Sequence, residues 1–199
     1  MQPIKHSALV ILTCVTSLTM LVFLSSCTDK QKGLDSAVAE GNVRLVRDLL
    51  EKGADVNTVY ADGETVLMSA ILFGHTEIVQ ILIDYGADVN FGLDFKQYKN
   101  MTPLMMASFR GYAEIMQLLI EYGADVNATL SMNDVKGCTA LMLAASNGQI
   151  DAIRILFEHG ADVNAQMEDG VTALMKAEYN GFTESAQILK HYSSEVDQN

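Results

Sequence analysis

Apolar residues recur at helical spacing in several similar segments of the chain. Two clear examples are residues 77–83, Glu-Ile-Val-Gln-Ile-Leu-Ile, and residues 114–120, Glu-Ile-Met-Gln-Leu-Leu-Ile. Apolar residues at positions i, i+3 and i+4 share one face of a helix, and that face packs against the rest of the protein. The pattern therefore predicts amphipathic helices over both segments, each followed closely by a glycine that ends it.

Two short motifs repeat in step with these helices. Gly-Ala-Asp-Val-Asn occurs four times, starting at Gly53, Gly86, Gly123 and Gly160. Thr-x-Leu-Met-x-Ala also occurs four times, starting at Thr65, Thr102, Thr139 and Thr172. A further glycine lies nine residues after each of these threonines, at Gly74, Gly111, Gly148 and Gly181. A period of 33 to 37 residues is typical of a protein built from stacked repeats.

The two motifs and the glycine together resemble the ankyrin repeat, and the resemblance covers about residues 33–199. It implies an all-α fold, a solenoid of about five helix-turn-helix repeats joined by β-turn fingers, with degenerate terminal repeats. The expected repeats are about 33–57, 58–90, 91–127, 128–164 and 165–199. The first lacks the threonine motif, and the last ends in Ser-Ser-Glu-Val-Asp in place of Gly-Ala-Asp-Val-Asn.

Several motif residues have a clear structural role. The motif threonine is expected to cap the first helix of its repeat, and Pro103 suits the first helical position because its missing N–H costs little there. Gly74 and Gly86, with their equivalents, are expected to end the first and second helices. Ankyrin repeats usually have histidine where this chain has Met68, Met105, Met142 and Met175. We expect these methionines to lie in the core and not to form a copper site, although thioethers favour Cu(I).

The N-terminal segment differs from the repeats. Residues 1–6 are basic, residues 8–24 are mostly apolar and uncharged, and Leu-Ser-Ser-Cys follows, ending at Cys27. This is the organisation of a secretory signal. Its end resembles the lipobox of bacterial lipoproteins, which implies a signal peptide over 1–26, lipidation of Cys27 and a lipid-anchored tether over 27–32. Two alternatives are an uncleaved membrane anchor, because 17 residues are near the lower limit for spanning a bilayer, and an ordinary cleaved signal.

The lipobox resemblance also implies a location. A lipidated Cys27 would hold the chain in the bacterial cell envelope, facing the periplasm. Thr28 follows the cysteine where an aspartate would favour the inner membrane, so the outer membrane is slightly favoured.

The formal net charge is −12, and lysines and arginines form no cluster in the sequence. This argues against nucleic acid, because affinity for nucleic acid comes from neutralising phosphates, and against docking on anionic lipids. Part of the acidity is architectural, because four aspartates share one repeat position, at Asp55, Asp88, Asp125 and Asp162. Three cysteines without a CxxC motif predict neither a disulfide framework nor a zinc site.

Family resemblance implies that a partner binds on the fingers and on the concave face of the first helices. The fingers of repeats three and four run 12 residues from the motif asparagine to the next motif threonine, against eight in repeats two and five. The first long finger carries Phe91, Phe95 and Tyr98, and exposed aromatic residues often anchor interfaces. The alternative is that Phe91 and Phe95 fold back and cover the neighbouring finger.

Two more sets of residues are expected to face the concave groove. One is the pair before each helix-ending glycine, namely Leu72-Phe73, Phe109-Arg110, Ser146-Asn147 and Tyr179-Asn180. The other is the residue before each motif threonine, namely Glu64, Met101, Cys138 and Val171. Cys138 is expected to be exposed there, either as a small apolar residue or as a redox-active thiol. The predicted partner-binding residues are Phe73, Phe91, Phe95, Tyr98, Met101, Phe109, Arg110 and Tyr179.

No catalytic or cofactor motif stands outside the repeats, so neither enzyme activity, a cofactor nor a small-molecule substrate is predicted. The leading hypothesis is a monomeric, membrane-tethered periplasmic adaptor or stabiliser of a protein partner. The alternatives are an immunity-type lipoprotein that inhibits a toxin or hydrolase, and a secreted effector directed at a host. The concave face is expected to be acidic and aromatic, and to suit a partner with a basic, apolar patch.

Overall fold

The computed structural model of the chain describes residues 33–60, 63–95, 98–132 and 134–196. The signal peptide and tether predicted over 1–32 lie outside these residues. The chain divides into two compact units, of which the first ends at Asp55 and the second begins at Val56.

In its described part the first unit is a pair of helices. Helix α1 includes residues 33–39, and α2 is Val43–Glu51. The side chain of Asn42 caps α2 by accepting a hydrogen bond from the backbone N–H of Leu45 at 3.2 Å. Five apolar residues of the pair are buried, namely Leu34, Ala37, Val38, Val46 and Leu50. The unit is therefore a helix-turn-helix with one apolar face.

Four helix pairs make up most of the second unit. In chain order they are α3 (Val66–Phe73) and α4 (Thr76–Asp84), α5 (Pro103–Arg110) and α6 (Ala113–Glu121), α7 (Ala140–Ser146) and α8 (Ile150–Glu158), and α9 (Ala173–Tyr179) and α10 (Thr183–Val196). First helices pack on first helices, α3 on α5, α5 on α7 and α7 on α9. Second helices stack in the same order, from α4 to α10. The predicted all-α fold of stacked helix-turn-helix repeats is confirmed.

Each first helix of this unit begins at its motif threonine. The threonine hydroxyl accepts a hydrogen bond from the N–H of the methionine three residues later, at 3.2 to 3.4 Å in the four copies. Pro103 is the first residue of α5, as predicted. Gly74 ends α3 with a positive φ of 72°, a conformation that glycine adopts without steric cost. Helices α7 and α9 are one residue shorter at this end. Their C-caps are Asn147 and Asn180, directly before the motif glycine.

The two long fingers form a β-sheet of four antiparallel strands in the order β1-β2-β3-β4. The first finger supplies β1 (Leu93–Phe95) and β2 (Tyr98–Met101), and the second supplies β3 (Thr129–Met132) and β4 (Val135–Thr139). Strands β2 and β3 join the fingers, because Lys99 pairs with Ser131. The extra residues of repeats three and four therefore build a small sheet that links two adjacent repeats.

The methionines of the threonine motif are core residues in three copies out of four. Met68, Met105 and Met142 are almost fully buried. The prediction is wrong for Met175, which is 53% exposed. The first three belong to helices on which a following first helix packs, whereas α9 is followed in the described residues only by its own partner α10.

Candidate protein-binding groove

A groove of about 480 Å³ opens along the first helices of the second unit. Its walls come from α3, α5, α7 and α9, and strand β2 closes one side. We call it the inner groove. Strand β2 is held between β1 and β3, so its side chains are fixed relative to the helices. A groove of this size lies within the range of pockets that bind ligands, roughly 300–1,000 Å³.

Four predicted site residues meet in the inner groove. Tyr98 and Met101 come from β2, and Phe109 and Arg110 come from the end of α5. Phe109 is 47% exposed, which is a large exposed area for a phenylalanine of a soluble domain. The structure therefore brings together side chains from a finger and from a first helix, and their role in binding a partner stays a prediction.

The other predicted site residues do not line the inner groove. Phe73 is exposed at the end of α3, with its ring centroid 5.9 Å from that of His75. Phe91 is partly buried, and Tyr179 is 91% exposed on α9. The side chain of Phe95 lies outside the described residues. A binding role for these four stays a prediction.

Four lining residues were missed by the sequence reasoning, namely Ile71 of α3 and three that share one repeat position. Met106, Leu143 and Lys176 all occupy the second variable position of Thr-x-Leu-Met-x-Ala. That position precedes the pair before each glycine by three and four residues, and this spacing places side chains on one helix face. Helical periodicity was therefore the signal that could have identified these residues.

The prediction that Cys138 is exposed in the groove is wrong, because its side chain is fully buried. It lies in β4 directly opposite Leu130 of β3, which is also buried. The sheet made by the two long fingers therefore covers the thiol. Burial raises the pKa of Cys138, and the nearby charge of Lys176 offsets part of that rise. A thiol of this kind is largely protonated and unreactive near neutral pH.

The charge of the groove also differs from expectation. Among the described residues that line it are the cations Arg110 and Lys176 and no aspartate or glutamate. The prediction of an acidic concave face is therefore wrong for this groove. The acidic motif residues lie elsewhere, because their carboxylates stabilise the fingers. Asp88 and Asp125, for example, each accept a hydrogen bond from the N–H of the motif asparagine two residues later, at 2.9 Å.

Comparison with protein families agrees with this architecture. The family model described as ankyrin repeats (3 copies) matches residues 34–130 and 128–199. The chain belongs to the ankyrin-repeat family. Ankyrin-repeat proteins are typically non-catalytic protein-interaction modules, so the repeats indicate a protein partner. No curated protein sequence matches the chain.

The described residues contain neither a membrane-spanning helix nor a cluster of metal ligands. No helix there is long and apolar enough to cross a bilayer. Within the same ranges, histidine, cysteine, aspartate and glutamate side chains form no group of three or more that could hold a metal ion.

Proposed function

We propose that this ankyrin-repeat protein is a non-catalytic adaptor or stabiliser that holds a protein partner in its inner groove while a lipid on Cys27 tethers it to an envelope membrane. The observation that carries the proposal is the meeting of Tyr98, Met101, Phe109 and Arg110 in one groove. Aromatic and arginine side chains are enriched among the residues that dominate binding energy.

Apolar side chains in the groove give a partner something to bury. Phe109 is about half exposed, and Tyr98 and Met101 are partly exposed. Fully burying a side chain of this size contributes about 1.5–3 kcal/mol relative to leaving it in water, so half-exposed anchors contribute less each and act together. The partner should therefore lose most of its affinity when two of these anchors are truncated.

Capture from intact cells tests this. After crosslinking, the tagged native protein should retain a specific partner that the Tyr98→Ala/Phe109→Ala variant loses. The matched control is Tyr85→Ala/Tyr122→Ala, because both tyrosines are exposed at the ends of second helices, away from the groove. Equal capture by all three proteins, with unchanged thermal unfolding, would refute binding in the inner groove.

The captured partner also decides between the remaining roles. A partner whose own enzymatic activity falls on binding would identify an inhibitor of the immunity type. A partner whose abundance falls when this protein is deleted would identify a stabiliser. Release of the protein from membranes on cell breakage would favour a secreted effector over a tethered protein.

The tether rests on the sequence Leu24-Ser25-Ser26-Cys27 after an apolar run. Only residues 28–32 separate the proposed lipid from the first repeat, and five residues reach at most about 17 Å. The first repeat would then stay close to the membrane, on its periplasmic side. A partner in or near the same membrane fits this position best.

Fractionation with labelled palmitate tests the tether. The native protein should carry label and sediment with membranes, and Cys27→Ala should lose the label. Cys14→Ala is the matched control, because that cysteine lies within the apolar run and outside the lipobox. If the native protein carries no label, or Cys27→Ala keeps it, the lipid proposal is wrong; residues 8–24 would then act as an uncleaved anchor if the protein still sediments with membranes.

A further inference from the structure

The charge of the inner groove is opposite to the charge of the chain. The net charge is −12, yet the groove walls, as far as the structure describes them, contain Arg110 and Lys176 and no acidic residue. Three lysines outside the groove, Lys52, Lys136 and Lys190, each pair with a carboxylate. In the described part of the chain no ion pair joins Arg110 or Lys176 to a carboxylate.

The two cations flank an apolar surface. Arg110 lies at the end of α5 and Lys176 lies in α9, and helix α7 packs between these two helices. The same groove is lined by Met106 of α5 and by Leu143 and Ser146 of α7. Leu143 is almost fully buried, so it forms part of the floor. A ligand that spans this part of the groove therefore meets a positive charge, an apolar floor and a second positive charge.

The chemistry of the groove selects one kind of occupant. A basic segment would place its charges beside Arg110 and Lys176, and like charges in contact disfavour binding. Nucleic acid needs many neutralised phosphates, and two cations on an acidic protein supply too few. Carboxylates form charge-assisted hydrogen bonds with arginine and lysine, and apolar side chains fill the floor between them.

We infer that the inner groove binds an acidic, apolar segment of the protein partner, in which aspartate or glutamate side chains meet Arg110 and Lys176 and apolar side chains lie on Met106 and Leu143. This inference rests on the proposed function, because it names the chemistry of the partner held in the same groove. It reverses the basic partner that the sequence suggested.

Selection of peptides on the purified full-length protein tests the inference. A library of short random peptides is displayed on phage, and the enriched peptides are synthesised with amidated ends, so that only side-chain carboxylates remain. We expect enrichment of aspartate and glutamate next to leucine, isoleucine, methionine or phenylalanine. The Arg110→Glu/Lys176→Glu variant should bind the best peptide about tenfold or more weakly, which corresponds to losing roughly one charged contact.

The matched control is Lys99→Glu/Arg154→Glu, which changes the net charge equally at two exposed positions outside the groove lining. It should bind the acidic peptides nearly as well as the native protein. Selection on the Arg110→Glu/Lys176→Glu variant itself should now enrich lysine and arginine. A circular dichroism melt checks that every variant is folded.

Failure of the inference differs from failure of the proposed function. If enriched peptides are apolar or basic but still lose binding in Phe109→Ala, the groove binds protein and the acidic partner is wrong. If selected peptides bind equally well to Phe109→Ala, the proposed groove function itself fails. If no peptide is enriched and decanoate binds the groove, the occupant is a small anionic amphiphile, and this result also overturns the inference.

Discussion

The side-chain amide of Asn90 donates a hydrogen bond to the carbonyl oxygen of Gly123, in the next repeat, at 3.0 Å. The amide oxygen of the same side chain accepts a bond from the N–H of Asp125 at 2.8 Å. Asn57 and Asn127 make the equivalent pair of bonds to the repeats that follow them. The recurring asparagine therefore connects each finger to the next through two backbone groups.

Asn90→Ala should destabilise the protein. It removes both bonds and leaves a backbone N–H and a carbonyl of the next finger without this partner, a loss of about 1–2 kcal/mol. The control is Asn164→Ala, because Asn164 is the last motif asparagine and accepts a hydroxyl bond from Ser193. Urea unfolding followed by circular dichroism should show a clearly smaller loss for this control, and equal losses would contradict the inter-repeat role.

Gly148→Ala should be more destabilising than Gly181→Ala. Both glycines have positive φ, 66° and 78°, so alanine is strained at either position by about 1 kcal/mol. A methyl group at Gly148 would also overlap the ring of Phe182, whereas nothing lies within 4 Å at Gly181. Thermal unfolding of the two variants isolates this overlap, because the backbone strain is shared. Equal melting temperatures would mean that Phe182 moves away without cost.

Truncating the motif methionines should have unequal effects. Met142→Ala creates a cavity in the core and should cost about 2–5 kcal/mol, whereas Met175→Ala removes a half-exposed side chain and should cost under about 1 kcal/mol. Chemical denaturation measures both. A large loss for Met175→Ala would show that the end of the array is covered in solution.

The buried thiol should make stability depend on pH in the alkaline range. Because burial raises the pKa of Cys138 above its ordinary value of 9.0, the folded protein keeps its proton where the unfolded chain loses it. The free energy of unfolding should therefore be unaffected below that value and fall as the pH rises through it. The comparison is native protein with Cys138→Ala, which should lack this part of the decline.

Reactivity provides an independent check of the same thiol. In a Cys14→Ser/Cys27→Ser background, Cys138 should react slowly with a thiol reagent when folded and quickly in urea. Fast reaction of the folded protein would mean that the sheet opens readily above the thiol.

Much of the fold followed from the repeated motifs, because each motif residue acts within its own repeat. Thr102 caps the helix that begins at the next residue, and Gly74 ends a helix in its own repeat. The predictions for Met175 and Cys138 were wrong because the environment of each residue depends on other segments. Met175 is exposed because no further first helix packs on α9 in the described residues. Cys138 is buried in the sheet in which β3 pairs with β4.

The candidate site was only partly predictable for the same reason. Tyr98 and Phe109 were found because they stand out from the motifs, but their meeting depends on the sheet that positions β2 beside α5. Lys176 was not predicted because only the pair before each glycine was expected to face the groove, and Lys176 lies one helical turn before that pair. Whole-chain charge also misled, because it averages over fingers and outer faces that do not line the groove.

The sheet formed by the two long fingers has a thermodynamic consequence for recognition. Long surface loops normally lose conformational freedom when a partner binds, and ordering each rotamer-rich side chain opposes association by about 0.5–1.5 kcal/mol. Here β2 is already hydrogen-bonded on both sides in the free protein. Tyr98 and Met101 are thus presented in a preorganised state, and even a short partner segment can bind without first immobilising the loops that receive it.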